Sequence, residues 1–141
     1  GVLERRGLPQ RVVVFGRSLG GYPACELAAT EPDLNGLILE SAAVNLRRLA
    51  ARAGAGGRTA ELEELVRAHE SRLRSIRVPV LWIHGEQDEL IPLESALEAF
   101  NLIGSAEKRF VLIPGAGHND ILWRGLETYL GAVQAFIARS G

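Results

Sequence analysis

Four short, unbroken apolar runs divide the chain, each bounded by glycine, proline or polar residues. The first, residues 11–15, carries Val12, Val13 and Val14 before Phe15 and reads as a strand buried on both faces of a parallel sheet. Residues 36–40, 78–84 and 108–113 read as three more strands. Between them the pattern changes period. Residues 22–30 are small and helix-compatible, with Pro23 tolerable in a first turn. A helix over 93–103 is opened by Pro92 and closed by Gly104. After the fourth strand Leu122, Leu126, Leu130, Val133 and Ile137 recur every three or four residues, the apolar stripe of an amphipathic helix. Residues 2–6 read as the frayed end of a helix stopped by Gly7 and Pro9.

Strands alternating with helices across short loops predict an α/β fold: a parallel sheet of about four strands with flanking helices and right-handed crossovers. Sites in such sheets lie at the C-terminal ends of the strands. Residues 46–77 break the rhythm. Gly54, Gly56 and Gly57 form a flexible interruption, and a helix over 59–74 follows, with Glu61, Glu63 and Glu64 suited to its positive N-terminus. This segment holds eight Arg against four Glu. It is expected to be a small lid-like helical excursion within a single partial domain spanning 1–141. Its basic face is expected to be solvated; the functional alternative is attraction of an anionic substrate or lipid headgroup.

Composition narrows the function. At 141 residues the chain suits one domain, and 47% hydrophobic against 23% charged residues excludes intrinsic disorder. A net charge of −1 predicts no nucleic-acid partner. Eighteen apolar residues never run together, so no transmembrane segment is expected. Cys25 is the only cysteine. With no internal disulfide possible, the fold must stand on its core, and the cytoplasm is the expected compartment.

Directly between the first strand and the first helix stands Gly16-Arg17-Ser18-Leu19-Gly20, a G-x-S-x-G pattern. A serine on a sharp strand-to-helix turn is held in strained backbone angles with its hydroxyl above the sheet, and glycine on either side removes Cβ atoms that would clash. The helix N-terminus behind it directs N–H groups at the site, so Leu19 N–H is a candidate oxyanion donor. A serine needs a base, and the base an orienting acid. Of three histidines, His69 falls mid-helix and His84 lies within the third strand. His118 lies in the loop after the fourth strand, with Gly115 and Gly117 on the approach. Of three aspartates, Asp33 precedes the second strand, at the wrong end of the sheet, and Asp120 follows His118 too closely to reach Nδ1. Asp88 lies just past the third strand's tip and is the candidate acid, with Glu86 second. The candidate catalytic residues are therefore Ser18, Asp88 and His118.

The strings "GRSLGG", "VLWIHGEQDELIP" and "PGAGHNDI" resemble the α/β-hydrolase superfamily, in particular the small serine hydrolases of the Bem-type and depalmitoylase-like branch. The resemblance implies Ser18 as nucleophile, His118 as base, Asp88 as its partner and Leu19 N–H as one oxyanion donor. The expected activity is hydrolysis of a carboxylic ester or thioester, a small-molecule acyl substrate, through an acyl-enzyme and without a cofactor. A serine peptidase or an acyltransferase would use the same residues. The resemblance also implies that half a sheet precedes the elbow strand, including the loop that supplies a second oxyanion N–H. This chain resembles the C-terminal half only. Loss of one oxyanion donor costs roughly 10²–10³ in rate. The alternative expectation is thus a non-catalytic half-domain that needs a partner, or that self-associates through an exposed strand at 12–15.

Blander roles stand beside these. Ser18 could be a turn serine, His118 a loop histidine bonding local backbone, and Asp88 a helix cap. His84 is expected to be a packing or hydrogen-bonding residue and Cys25 a small buried group. Arg17, beside the nucleophile, either ion-pairs at the sheet edge or meets an acidic substrate. Gly54–Gly57 lacks nucleotide-loop spacing, and no Cys or His spacing suits a metal.

Overall fold

The computed structural model describes residues 11–54 and 59–139. The helix expected over residues 2–6 lies outside them, as does most of the glycine-rich interruption. Nine elements follow in order: β1 (Val13–Arg17), α1 (Gly21–Thr30), β2 (Gly36–Glu40), α2 (Leu46–Arg52), α3 (Ala60–Ser75), β3 (Val80–Gly85), α4 (Leu93–Leu102), β4 (Lys108–Ile113) and α5 (Ile121–Arg139). A 3-10 turn, Ser18–Gly20, joins β1 to α1. The strands form one parallel sheet in the order β1-β2-β3-β4, with Phe15 opposite Ile38, Ile38 opposite Leu81 and Trp82 opposite Phe110.

Alternation along the strands sorts the core into two layers. Leu37, Leu39, Val80 and Trp82 point to one face, where they meet Ala24, Cys25 and Ala28 of α1, Leu73 of α3 and Ala96 and Ala99 of α4. Ile38, Leu81, Ile83 and Val111 point to the other, against Ile121, Tyr129 and Ala132 of α5. Cys25 is buried, and that burial, reinforced by Glu26, pushes its thiol up to about 12.

The segment expected to be a lid contributes to this core. Val66, Leu73 and Ile76 are buried, and α3 packs against α1. Asn45 caps α2 by accepting from Arg48 N–H, and Thr59 caps α3 by accepting from Leu62 N–H at 3.2 Å. Several arginines of the segment are engaged internally: Arg47 with Glu63 and Glu70, Arg48 with Glu98, and Arg72 with Glu26.

Two expectations about faces are corrected. Strand β1 extends two residues further than its apolar run, through Gly16 to Arg17, and is not buried on both faces. Phe15 is 51% exposed, because β1 is the edge strand and no described residue covers its outer flank. In α5 the stripe formed by Leu122, Leu126, Leu130 and Ile137 faces outward. The buried residues are Ile121, Tyr129 and Ala132. Close approach to the sheet selects that face. Gly125 kinks the helix where a Cβ would lie 2.5 Å from Ile113, and Phe136 rests on Gly36.

Candidate active site

The first strand delivers its last residue, Arg17, to the top of the sheet, and the chain then turns sharply. Ser18 adopts φ 51°, a left-handed conformation uncommon outside glycine and costly to hold. The turn is possible because α1 descends almost onto the strand. A Cβ on Gly16 would sit 2.6 Å from Ala24 Cβ, and one on Gly21 2.7 Å from Ala42 Cβ. The expectation for Gly20 is corrected: a Cβ there meets none of the described residues within 4 Å, so Gly16 and Gly21 are the glycines the packing demands. The Ser18 carbonyl accepts from Ala43 N–H at 2.9 Å, which ties the turn to the segment after β2.

The three candidate residues converge at this rim. Ser18 Oγ lies 2.9 Å from His118 Nε2, and His118 Nδ1 lies 2.8 Å from Asp88 Oδ2. The carboxylate is fully enclosed, and its other oxygen accepts from the N–H groups of Leu90 at 3.0 Å and Ile91 at 2.8 Å. Asp88 therefore performs the capping role and the imidazole contact at once, one oxygen for each. An ionised carboxylate can only accept, so His118 carries its proton on Nδ1 and presents a bare Nε2 to the serine hydroxyl. Leu19 follows Ser18 in the turn that leads into α1 and is 76% exposed.

The other candidates are placed elsewhere. Glu86 receives Gly115 N–H at 3.4 Å. Asp120 accepts from Gly117 N–H and pairs with Arg124, which braces the loop carrying His118 from within. His69 donates from Nε2 to the Val44 carbonyl and stacks on Tyr22 at 4.7 Å. The described residues contain no group of three metal-ligating side chains, and no described helix is long and apolar enough to cross a membrane.

Beneath the site, His84 is enclosed. Its Nε2 donates to the Ile91 carbonyl at 2.8 Å, and its Nδ1 accepts from Trp82 Nε1 at 3.3 Å, so both ring nitrogens are assigned in the neutral form. Burial lowers its pKa; the Ile91 bond and the Asp88 charge oppose that, and His118 adds to it. The unfolded chain therefore binds a proton below its ordinary value of about 6.5 that the folded chain refuses. Stability is expected to decline as pH falls from 7 to 5, visible as a falling urea midpoint. The decline should be shallower in His84→Gln.

Gly85, at the tip of β3, lies directly under the loop that carries His118. A Cβ there would sit 2.4 Å from the Ala116 carbonyl oxygen and 2.6 Å from that of Gly117. Gly85→Ala is expected to cost about 1–3 kcal/mol in denaturant unfolding. It should also push the loop carrying His118 off the serine. An unchanged unfolding midpoint would contradict this packing.

Sequence reasoning did not assign Glu40, Ser41 or Tyr129. Glu40 is a buried carboxylate ending an otherwise apolar strand, and that lone charge was the available signal. It pairs with Arg17 at 2.6 Å. Burial, and then Glu40, raises the pKa of the Tyr129 hydroxyl above its ordinary value. Ser41 is fully buried with φ 49°, and its hydroxyl has no hydrogen-bond partner among the described residues; no local signal marks it.

A four-stranded parallel sheet flanked by helices, with a serine on a strained turn at its rim, defines an α/β-hydrolase. The chain belongs to the serine aminopeptidase, S33 family of that class, whose model matches residues 49–122, just over half of the chain. That match includes Asp88 and His118, whereas Ser18 precedes it. The chain is 32% identical to protein bem46 of Schizosaccharomyces pombe over 114 residues, covering 78% of this chain and 38% of that protein. It is 29% identical to human alpha/beta hydrolase domain-containing protein 17B over 138 residues, covering 93% and 43%. An esterase from Pyrococcus furiosus shares the fold with a TM-score of 0.75 at 18% identity, covering 98% of this chain and 58% of that one. A monoacylglycerol lipase from Paleococcus ferrophilus does so with a TM-score of 0.69 at 19% identity, covering 97% and 71%. The chain thus spans less than half the length of these curated relatives.

Proposed function

We propose that this chain carries the catalytic residues of a serine hydrolase that cleaves a carboxylic ester or thioester through an acyl-enzyme. The observation that supports this most directly is the unbroken chain of two hydrogen bonds from Ser18 through His118 to Asp88. In this reading His118 Nε2 takes the hydroxyl proton as Ser18 Oγ attacks the acyl carbon. Asp88 stabilises the imidazolium that results. The developing oxyanion receives Leu19 N–H, the donor that the turn itself supplies. The imidazolium then protonates the leaving group, and water, activated by the same imidazole, releases the acid. An amide substrate or an acyl acceptor other than water would use the same steps, so a peptidase or acyltransferase differs only in what enters and what leaves. The test is incubation with a fluorophosphonate probe followed by peptide mass mapping. The adduct is expected on Ser18, and an adduct confined to other residues would end the assignment.

A second reading, a non-catalytic half-domain completed by a partner or by a second copy, is favoured by the edge of β1, uncovered among the described residues, and the outward apolar stripe of α5. Gel filtration combined with p-nitrophenyl ester turnover separates the two. A monomer that turns over ester would defeat the half-domain.

A further inference from the structure

The base loop and the nucleophile stand far apart in the sheet. β1 and β4 are separated by β2 and β3, so their tips lie three strand spacings apart, roughly 14 Å. The loop after β4 must lean back over the sheet for His118 to reach Ser18. Most of its hydrogen bonds to the rest of the protein lead only as far as the loop after β3: the Ala116 carbonyl to Gln87 N–H, Gly115 N–H to Glu86, and His118 Nδ1 to Asp88. Bonds to Gly117 and Arg124 are local to Asp120. Among the described residues, two side chains bridge the remaining gap to β1: Ser18 itself, and its neighbour Arg17.

Arg17 spans that gap with both ends of its guanidinium. Nε donates to Glu40 Oε2 at 2.6 Å, while one terminal nitrogen donates to the His118 carbonyl at 2.8 Å and to Asn119 Oδ1 at 3.0 Å. Glu40 is a rigid anchor, since its side chain is only 7% exposed and it sits in the fully buried strand β2. A planar fork of this kind fixes direction as well as distance, which a flexible ammonium does not. The donors facing the loop are occupied, so of the two roles expected of Arg17 the ion pair at the sheet edge is the one its contacts show.

We propose that Arg17 is a positioning residue that latches the His118 backbone to β1 through Glu40 and so holds the imidazole over Ser18. The latch rests on the serine-hydrolase reading for its catalytic consequence, while its geometric content stands apart from activity. Without it the loop keeps its backbone ties to Gln87 and Glu86, but the imidazole loses its register on both Asp88 and the nucleophile. Misplacement by about 1 Å is enough to cost roughly 10²-fold in rate.

The experiment compares Arg17→Gln and Arg17→Lys with the parent chain. The first readout is the low-field proton resonance of His118 Nδ1–H, assigned by its disappearance in His118→Ala; the buried Nε2–H of His84 serves as an internal control. The second is the rate constant of fluorophosphonate labelling at Ser18. Both variants are expected to lose or broaden the His118 signal, keep the His84 signal, and label about 10²-fold more slowly. An unchanged His118 signal in Arg17→Gln, or full recovery of signal and rate by Arg17→Lys, overturns the latch. Should Arg17→Gln fail to fold, Asn119→Ala removes one of the two loop acceptors at an exposed position. A partial broadening of the same signal is then expected, and no change overturns the proposal. If the parent chain shows the His118 signal yet never labels, the hydrolase reading fails and the resonance alone decides the latch.

Discussion

Ser18→Ala is expected to lower ester turnover by on the order of 10⁶ and to remove the probe adduct entirely. The substitution takes away one oxygen, the atom 2.9 Å from His118 Nε2, and leaves the packing of the turn in place. Gly16 and Gly21 still admit α1, and the Ser18 backbone carbonyl still receives Ala43 N–H. The variant should therefore melt close to the parent chain while its activity disappears. Intact-mass analysis after probe treatment and a melting curve on the same sample check both halves. A probe adduct that survives the substitution would show that another residue is the nucleophile.

Asp88→Asn is expected to cost about 10⁴ in turnover with little loss of stability. The two carboxylate oxygens have separate duties, which makes the outcome specific. Asparagine can keep its oxygen on the N–H groups of Leu90 and Ile91, so the loop before α4 retains its shape. Its amide nitrogen then faces His118 Nδ1, two donors meet, and the ring must move its proton to Nε2. A protonated Nε2 offers the serine a donor where it needs an acceptor. Turnover measured with a p-nitrophenyl ester, beside a denaturation curve that stays put, is the check. Near-parental turnover would remove Asp88 from the mechanism.

The candidate residues were legible because each is marked locally. Ser18 stands in a glycine-flanked turn between an apolar run and a helix, and His118 follows two glycines after another apolar run. Asp88 comes four residues after the β3 histidine and four before the proline that opens α4. Strand ends of a parallel sheet lie on one rim, so chain order placed these residues on the same side of the sheet, and the lean of the loop after β4 closes the remaining gap between β4 and β1. Arg17 stands out by its place beside Ser18, but its partners are not legible in the sequence. Glu40 lies 23 residues away and Asn119 102, and no spacing rule connects them.

The amino-acid pattern by itself determined the four strands and their parallel sense, the elbow, and the candidate residues at the rim. These follow from interactions within a few residues and from the period of the apolar positions. Only the tertiary structure decided which faces are covered. In α5 two apolar stripes compete. The sheet accepted the one with Gly125 and Ala132, because small residues allow the helix close enough to bury Tyr129 and to lay Phe136 over Gly36. Tertiary packing likewise made Gly21 rather than Gly20 the glycine that α1 requires, placed Phe15 on the edge strand of the described sheet, and paired Arg17 with Glu40 beneath the loop carrying His118. Each of these depends on what a distant segment places opposite a residue, and that is a property of the folded arrangement and not of any stretch of chain.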